Sequence, residues 1–391
     1  MIKYIGAKSR IVPKVVDIVK RFGEARTVVD LFSGTSRVGH ALKRYGYRVL
    51  ANDHNAFAAT LARCYVQADS EDVSKDAEWI LQELNRLTGR PGYFTETFCI
   101  KSRFFQPKNG ERIDAIRERI ATLSLPPELE SVLLVSLMEA ADRVDSTTGI
   151  QMAYLKSWAK RSFNDLVLQM PEVLPRASFG KGGAHMLDAI EAARALTGDI
   201  AYIDPPYNQH PYLANYHIWE TLVLWDKPEV YGVACKRIDC RERNSAFNSR
   251  RQFRAAFQTL LESVQAPVLV IYFRDGGYLA RSDLETIIRS LWGGTAHHTV
   301  LESEYKKRGR AKSYVVAQTG NETGDVGAGR NLDYLYVVSR DPLPYDMLTP
   351  VSCETTGECA ESSDGVQDMS EDCTHDDNTD NQPSAMSVEA S

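Results

Sequence analysis

Residues 200–207, which read IAYIDPPY, run from an apolar segment directly into an acidic and proline-rich turn. Two consecutive prolines cannot continue a helix, and they donate no backbone N–H to a sheet, so the backbone there is held extended. The pattern predicts a strand that ends at Asp204. It also predicts that Pro205 and Pro206 hold Asp204 and Tyr207 rigidly on either side of them.

This turn suits the methylation of an exocyclic amine on a nucleobase. Such an amine is a poor nucleophile because its lone pair is delocalised into the ring. The carboxylate of Asp204 and the fixed carbonyl of Pro205 can accept its two N–H groups and localise the lone pair toward a methyl donor. Tyr207 offers a ring on which an extruded base can stack. Taken alone, the four residues also fit a strained turn that is capped by Asp204.

A glycine turn lies nearer the start of the chain. The segment DLFSG ends a predicted strand and feeds a helix, so Gly34 would leave N–H groups and space for a nucleotide-like ligand. Asp53 closes the next predicted strand, 23 residues after Asp30, where a carboxylate can accept both hydroxyls of a ribose. The dinucleotide pattern GxGxxG is absent, so simple packing of helix on strand is the alternative.

The order of predicted elements places these motifs in one α/β domain. A helix over 11–22, a strand–turn–helix–strand unit over 27–53 and strands over 199–204 and 266–273 predict a parallel, doubly wound sheet. A further helix is predicted over 282–292. Strands over 297–305 and 332–339 predict an antiparallel hairpin at the sheet edge. Most of the chain between is helical in pattern, which is typical of an inserted lobe.

Charge is distributed unevenly along the chain. Residues 341–391 hold 13 of the 52 acidic residues and none of the 46 Lys and Arg, so residues 1–340 carry a net charge of +7 although the whole chain carries −6. The polar composition beyond Thr349 predicts a disordered tail. The tail is either merely solvated or a competitor of nucleic acid for the basic body.

Other classes of protein fit the sequence poorly. The seven cysteines contain no CxxC pair, which predicts reduced thiols and no metal site. The start MIKYIGAKSR lacks the apolar core of a signal peptide and no stretch approaches a membrane span. We therefore expect a cytoplasmic protein without a membrane partner.

Taken in order, these motifs resemble the alpha-group, Dam-like N6-adenine DNA methyltransferases, which use S-adenosylmethionine. The resemblance is collinear over residues 1–340 and includes the opening KYIGAK, the segment DLFSGTSRVG, HMLDA at 185–189 and DPPY. It implies that the cofactor is bound by Tyr4, Lys8, Asp30, Phe32, Ser33, Gly34, Asp53 and Asp188. Within this set, Tyr4 and Lys8 would border the methionine end, Asp53 the ribose and Asp188 the adenine amine.

The resemblance also implies the fold and the reaction. We expect a Rossmann-like catalytic domain over residues 1–65 and 181–340, a helical target-recognition lobe over 66–180, and the acidic tail over 341–391. The reaction would methylate adenine N6 in double-stranded DNA after base flipping, with Asp204, Pro205, Pro206 and Tyr207 as the catalytic residues. NQHPYLANYHIWETL resembles a variant found in restriction-system enzymes, so a cognate restriction nuclease is a candidate partner. The family commonly has a glycine where Ser36 stands, and a serine can take the same turn if its φ stays negative.

Two basic segments are candidates for DNA contact. KKRGRAK at 306–312 would hold phosphates through Lys306, Lys307, Arg308, Arg310 and Lys312, or would be a solvated hairpin loop. The second group comprises Lys236, Arg237, Arg241, Arg243, Arg250, Arg251 and Arg254. An N4-cytosine or RNA-adenine methyltransferase and a catalytically silent DNA-binding protein remain alternatives for the whole chain.

Overall fold

The computed structural model describes residues 1–4, 11–206, 211–274, 277–305 and 331–343, and only the backbone of residues 303–305 and 331–332. Lys8, Tyr207, the KKRGRAK segment and the predicted disordered tail beyond Thr349 therefore lie outside the described residues. None of the described helices is both long and apolar enough to cross a membrane.

The described segments contain both helices and strands. The helices are α1 Val12–Arg21, α2 Arg37–Arg44, α3 Ala56–Ala62, α4 Ser70–Asn85, α5 Tyr93–Thr95, α6 Pro107–Ala121, α7 Pro127–Arg143, α8 Ala189–Ala195, α9 Tyr212–Asn215, α10 His217–Leu224, α11 Phe253–Ser263 and α12 Arg281–Ser290. The strands are β1 Thr27–Asp30, β2 Arg48–Asn52, β3 Gly183–His185, β4 Ile200–Ile203, β5 Val230–Tyr231, β6 Lys236–Arg237, β7 Val268–Arg274, β8 His297–Tyr305 and β9 Asn331–Ser339.

Seven strands form one sheet in the order β3-β2-β1-β4-β7-β9-β8. The first five are parallel, and β9 pairs antiparallel with both β7 and β8. The predicted doubly wound sheet and the predicted antiparallel edge pair are thus confirmed. The strand order reverses between β1 and β4, and ligands of such sheets bind where the order reverses, at the carboxyl ends of the strands.

Helices cover both faces of the sheet. One face packs on α1 and α2, through side chains such as Val15, Val19 and Leu42. The other packs on α8, α11 and α12. Because both faces are covered, a central parallel strand is apolar throughout rather than alternating, and six of the seven residues of β7 are buried.

The insertion is mainly helical, as the sequence predicted, and carries α4 to α7. Its apolar core includes Phe94, Phe98 and Phe105, and it continues into α3 and into Trp219 of α10. The insertion therefore packs against α10, which follows the DPPY motif in the chain. The division into a catalytic domain and a target-recognition lobe at residues 66 and 180 stays a prediction.

Candidate active site

A cavity lies at the carboxyl ends of β1, β2 and β4, where the strand order reverses. Its empty volume is about 1050 Å³ including the open mouth, which suits a ligand of nucleoside size or larger. The lining brings together nine of the residues predicted from the sequence, namely Tyr4, Asp30, Phe32, Ser33, Gly34, Asp53, Asp188, Asp204 and Pro206. Pro205 is buried between Asp204 and Pro206 and does not line the cavity.

The glycine turn is fastened to the end of β2. Gly34 has a φ of +51°, which glycine adopts without strain. Its N–H donates to Asp53 Oδ2 at 3.0 Å, and Asp53 Oδ1 accepts from the Asn55 N–H at 3.0 Å. The Ser33 N–H donates to the Asn52 carbonyl at 2.9 Å. The Asn55 side chain also donates to Oδ1, at 3.2 Å. Asp53 thus shapes the turn, while its Oδ2 keeps a lone pair for a ligand.

Ser36 takes the turn in a left-handed conformation. Its φ is +60° and its ψ is 20°, so the turn is formed without the negative φ that a serine ordinarily keeps. The chain must reverse between β1 and α2, and a left-handed residue at this position lets the Ser36 N–H donate to the Ser33 carbonyl at 2.7 Å. The Ser36 hydroxyl is buried and has no hydrogen-bond partner among the described residues.

Tyr4 joins the beginning of the chain to the segment that follows DPPY. Its ring stacks on Tyr212 with centroids 5.2 Å apart and on Tyr216 with centroids 4.6 Å apart. Burial raises the pKa of Tyr4 well above its ordinary value, and the charges of nearby acidic groups raise it further. This wall is therefore neutral and aromatic at physiological pH.

Negative charge is concentrated in the cavity. Asp30 is 1% exposed, and neither of its carboxylate oxygens accepts a hydrogen bond of normal geometry from a described group. Burial raises the pKa of Asp30 to about 8, the charges of Asp204 and Asp53 raise it too, and the Phe32 N–H acts in the opposite direction. Burial likewise raises the pKa of Asp53. Carboxyl groups this close favour a protonated member or a cationic ligand.

Asp188 stands at the start of α8. Its Oδ1 accepts from the Ile190 N–H at 2.9 Å and so caps the helix. The residue is exposed and lines the cavity, so its second carboxylate oxygen is available to a ligand.

A wall that sequence reasoning missed closes the cavity on the side facing Phe32. It is made by Arg243, Ser245, Phe247 and Asn248, and the ring of Phe247 meets that of Phe32 edge to face at a centroid distance of 5.2 Å. The only signal in the sequence was the charge of Arg243, which we grouped with the cations predicted to contact DNA.

Two members of that basic group form ion pairs within the protein, and DNA contact by this group stays a prediction. Arg237 is buried and donates to both carboxylate oxygens of Asp226 at 2.7 Å and to Asp239. Arg243 donates to the buried Glu220 at 2.7 Å. Asp239 is two residues from Arg237 and belongs to the local charge pattern, whereas Asp226 and Glu220 lie 11 and 23 residues from the arginines they pair with and are not revealed by it.

The sequence pattern that defines the D12 class N6 adenine-specific DNA methyltransferases matches residues 4–268. The chain belongs to this family. The predicted resemblance to N6-adenine DNA methyltransferases is thereby confirmed, and the match runs from Tyr4 of the aromatic wall, through the glycine turn and DPPY, to the start of β7.

Individual relatives of this chain agree with the family assignment. It is 29% identical to the Type II methyltransferase M.FokI of Planomicrobium okeanokoites over 306 residues, which cover 74% of this chain and 47% of the relative. It is 28% identical to the modification methylase StsI of Streptococcus sanguinis over 304 residues, with 73% and 46% covered. It is 26% identical to the Type II methyltransferase M.NlaIII of Neisseria lactamica over 349 residues, with 86% and 99% covered. The chain thus spans about half the length of the first two relatives.

Replacing Asp30 with Asn should raise the free energy of unfolding of the chain relative to wild type, by an amount that increases as the pH rises from 4 to 8. An unfolded Asp ionises near pH 3.8, whereas folded Asp30 keeps its proton until about pH 8. The folded state binds more protons over this interval, so the wild type loses stability as the pH rises through it. The gain at pH 8 should reach several kcal/mol, because one pKa unit corresponds to about 1.4 kcal/mol. Melting curves at a series of pH values measure it, and a gain independent of pH would contradict the assignment.

Replacing Ser36 with Gly should raise the free energy of unfolding by about 1 kcal/mol, because glycine adopts the left-handed conformation without strain. Ser36→Ala is the matched control, since it also removes the partnerless hydroxyl but keeps a Cβ. Urea unfolding should therefore find the Gly variant more stable than the Ala variant by about 1 kcal/mol. An Ala variant of equal or greater stability would show that the backbone is not strained at this position.

Proposed function

We propose that this chain transfers a methyl group from S-adenosylmethionine to N6 of adenine in double-stranded DNA, after the base has been flipped out. One observation carries the proposal, namely that the Asp204 turn opens into the same cavity as the Gly34 turn and Asp53. Family membership supports adenine N6 and DNA as the target. The names of the relatives, among them a modification methylase and Type II methyltransferases, support a place beside a restriction nuclease.

The residues of the cavity fit the proposed cofactor. The oxygens of Asp30 and the Ser33 hydroxyl are buried at its wall and have no hydrogen-bond partner among the described residues. The positive charge of a sulfonium group is electrostatically favourable beside the carboxyl groups around Asp30. Asp53 would accept from the ribose through Oδ2, and Asp188 would accept the adenine amine through the oxygen that does not cap α8.

When bound, S-adenosylmethionine supplies an electrophilic methyl group. The chain's own contribution is to hold the target amine and make its lone pair available. The carboxylate of Asp204 and the carbonyl of Pro205 would accept the two N–H groups of the amine. As the new N–C bond forms, one of these protons becomes acidic and can leave by way of Asp204. Tyr207 would stack on the flipped base. The contributions are positioning and preorganised electrostatics.

DNA would approach over the cavity mouth. β8 runs parallel to β1 and β4. The end of β8 and the beginning of β9 therefore lie on the same side of the sheet as the cavity, namely the side of the carboxyl ends of the parallel strands. KKRGRAK stands between these strands in the sequence, and we propose that its cations bind DNA phosphates.

A second basic patch, Lys236 and Arg241, lies beside the rim. Met152 packs against a small apolar cluster that contains Leu213, a residue of the cavity lining, and the Lys236 ammonium lies 3.1 Å from the Met152 sulfur. The Arg241 guanidinium lies 3.8 Å from the ring centroid of Tyr231, which belongs to the same cluster. Neither cation forms an ion pair with a described acidic residue, so both are available for phosphates.

Replacing Asp204 with Ala should lower methyl transfer by a factor on the order of a thousand or more, because positioning and polarisation of the amine are both lost. Cofactor affinity should change little, since Asp204 meets the base. Asp53→Ala is the contrasting variant and should weaken cofactor binding instead. Transfer of radiolabelled methyl to DNA and calorimetric titration of S-adenosylhomocysteine separate the two effects. Transfer by the Asp204 variant within tenfold of wild type would refute the assignment.

Replacing both Lys236 and Arg241 with Ala should weaken binding to a short duplex and lower the salt slope of binding by about two, since each phosphate contact contributes about one. The control is the double variant Arg26→Ala, Arg194→Ala. It removes the same charge on the side of the sheet opposite the cavity, where the parallel strands begin. Arg26 directly precedes β1, and Arg194 lies in the last turn of α8. Filter binding at several salt concentrations should leave the control's slope unchanged. Equal slopes for the two double variants would place DNA elsewhere.

A further inference from the structure

A buried carboxylate on α10 organises the cofactor side of the cavity. Glu220 is fully buried, and its oxygens accept from the N–H groups of Ala56 at 3.2 Å and Phe57 at 2.9 Å. These are the first two residues of α3. The usual cap is unavailable there, because the Asn55 side chain donates to Asp53 instead. Glu220 therefore caps α3 from another helix, where a negative charge is favourable.

Arg243 connects this cap to the turn that carries Asp53. Its Nη1 donates to Glu220 Oε1 at 2.7 Å, and its Nη2 donates to the His54 carbonyl at 3.1 Å. His54 directly follows Asp53. The planar guanidinium thus holds two groups at a set separation, which a lysine ammonium cannot do with the same rigidity.

The same arginine begins the wall that faces Phe32. Arg243 lines the cavity together with Ser245, Phe247 and Asn248 of its own segment. A shift of Arg243 would therefore move this wall relative to the turn at Asp53. The pair with Glu220 consequently spans the gap between the two sides of the cavity.

The insertion fixes the helix that carries Glu220. Gln151 accepts the Ile218 N–H through its side-chain oxygen at 2.8 Å at the start of α10. Arg117 donates to the carbonyls of Leu222 at 2.8 Å and Val223 at 3.0 Å at its end. Because α10 is held at both ends, Glu220 is a rigid anchor, and Arg243 transmits that rigidity to the wall.

We propose that Arg243 is a positioning residue that sets the width of the cofactor cavity at Asp53 by acting through Glu220 and the His54 carbonyl. The inference rests on the proposed function, because it takes the ligand to be S-adenosylmethionine. Removing the arginine leaves Glu220 with both N–H donors of α3, so the helix stays capped. The part lost is the connection between that cap and the wall.

The matched control is the pair formed by Arg176 and Asp69. In both pairs a partly exposed arginine donates at 2.7 Å to a carboxylate that is 0% exposed. Asp69 also keeps a second donor, Lys43, at 3.0 Å when Arg176 is removed. Arg176 is not among the described residues that line the cavity. Arg176→Ala therefore reproduces the loss of an ion pair without touching the cavity.

The test is calorimetric titration of the full chain with S-adenosylhomocysteine, with a melting curve for each variant. Arg243→Ala should raise the Kd on the order of tenfold, because small displacements of binding groups are costly, while Arg176→Ala should leave it within about twofold. Arg243→Lys should recover only part of the affinity. In turnover assays, Arg243→Ala should raise the KM for S-adenosylmethionine by a similar factor.

A variant of Glu220 distinguishes an indirect, positioning role of Arg243 from direct contact of Arg243 with the cofactor. Glu220 itself is not among the described residues that line the cavity. Glu220→Gln should raise the Kd as Arg243→Ala does, and the double variant should bind no more weakly than the weaker single variant. An unchanged Kd for Arg243→Ala, an equal rise for Arg176→Ala, or fully additive effects in the double variant would each overturn the positioning role. If Glu220→Gln does not fold, the comparison of Arg243→Ala with Arg176→Ala decides. A wild-type chain that binds neither S-adenosylhomocysteine nor S-adenosylmethionine would instead overturn the proposed function along with it.

Discussion

The carboxyl ends of the parallel strands bring Asp30, Asp53 and Asp204 close together. The mutual repulsion of these three carboxyl groups is the main constraint on the structure of the cavity. β1, β2 and β4 are neighbours in the sheet, and each ends in or next to one of these residues. Burial and like charge both oppose ionisation, and the pKa of Asp30 rises to about 8 as a result. A structure with this feature must satisfy some of the carboxylate oxygens internally and leave the rest for a ligand.

The surrounding structure divides these two tasks among the three residues. Asp53 receives N–H groups from Gly34 and Asn55, so its charge is partly neutralised and the glycine turn is shaped by the same contacts. Asp30 receives no such support of normal geometry from the described residues. Asp30 therefore keeps its proton until about pH 8 in the empty cavity, and a cationic ligand group at the end of β1 would favour its ionisation.

Much of this could be predicted from the sequence because the informative signals are local. The glycine turn, Asp53 and the Asp204 turn each lie within a few residues of a strand end, and strand ends of a parallel sheet meet at one edge. The wall at Phe247 and the cap made by Glu220 could not be predicted in this way. They depend on which segments pack together: Arg243 reaches His54, 189 residues away in the chain.

Ser36 and Arg243 show how such reasoning fails. The positive φ of Ser36 has no signal in the sequence, because a serine ordinarily keeps a negative φ, whereas this one is left-handed in the reversal between β1 and α2. Arg243 was grouped with exposed cations, because a sequence window shows charge and does not show burial. Tertiary structure overrides the local preference in the first case and supplies an unforeseen partner in the second.

On the proposed function, the arrangement of charges also bears on turnover. A cavity with excess negative charge binds a cationic ligand more tightly than a neutral one of the same shape, and the difference is largest where water is excluded. Methyl transfer converts a sulfonium cation into a neutral thioether, so the electrostatic part of binding falls when the reaction is complete. Asp30 can then regain a proton, because its pKa of about 8 lies close to physiological pH. On the proposed function, the same repulsion would thus favour both binding of the cationic donor and release of the neutral product.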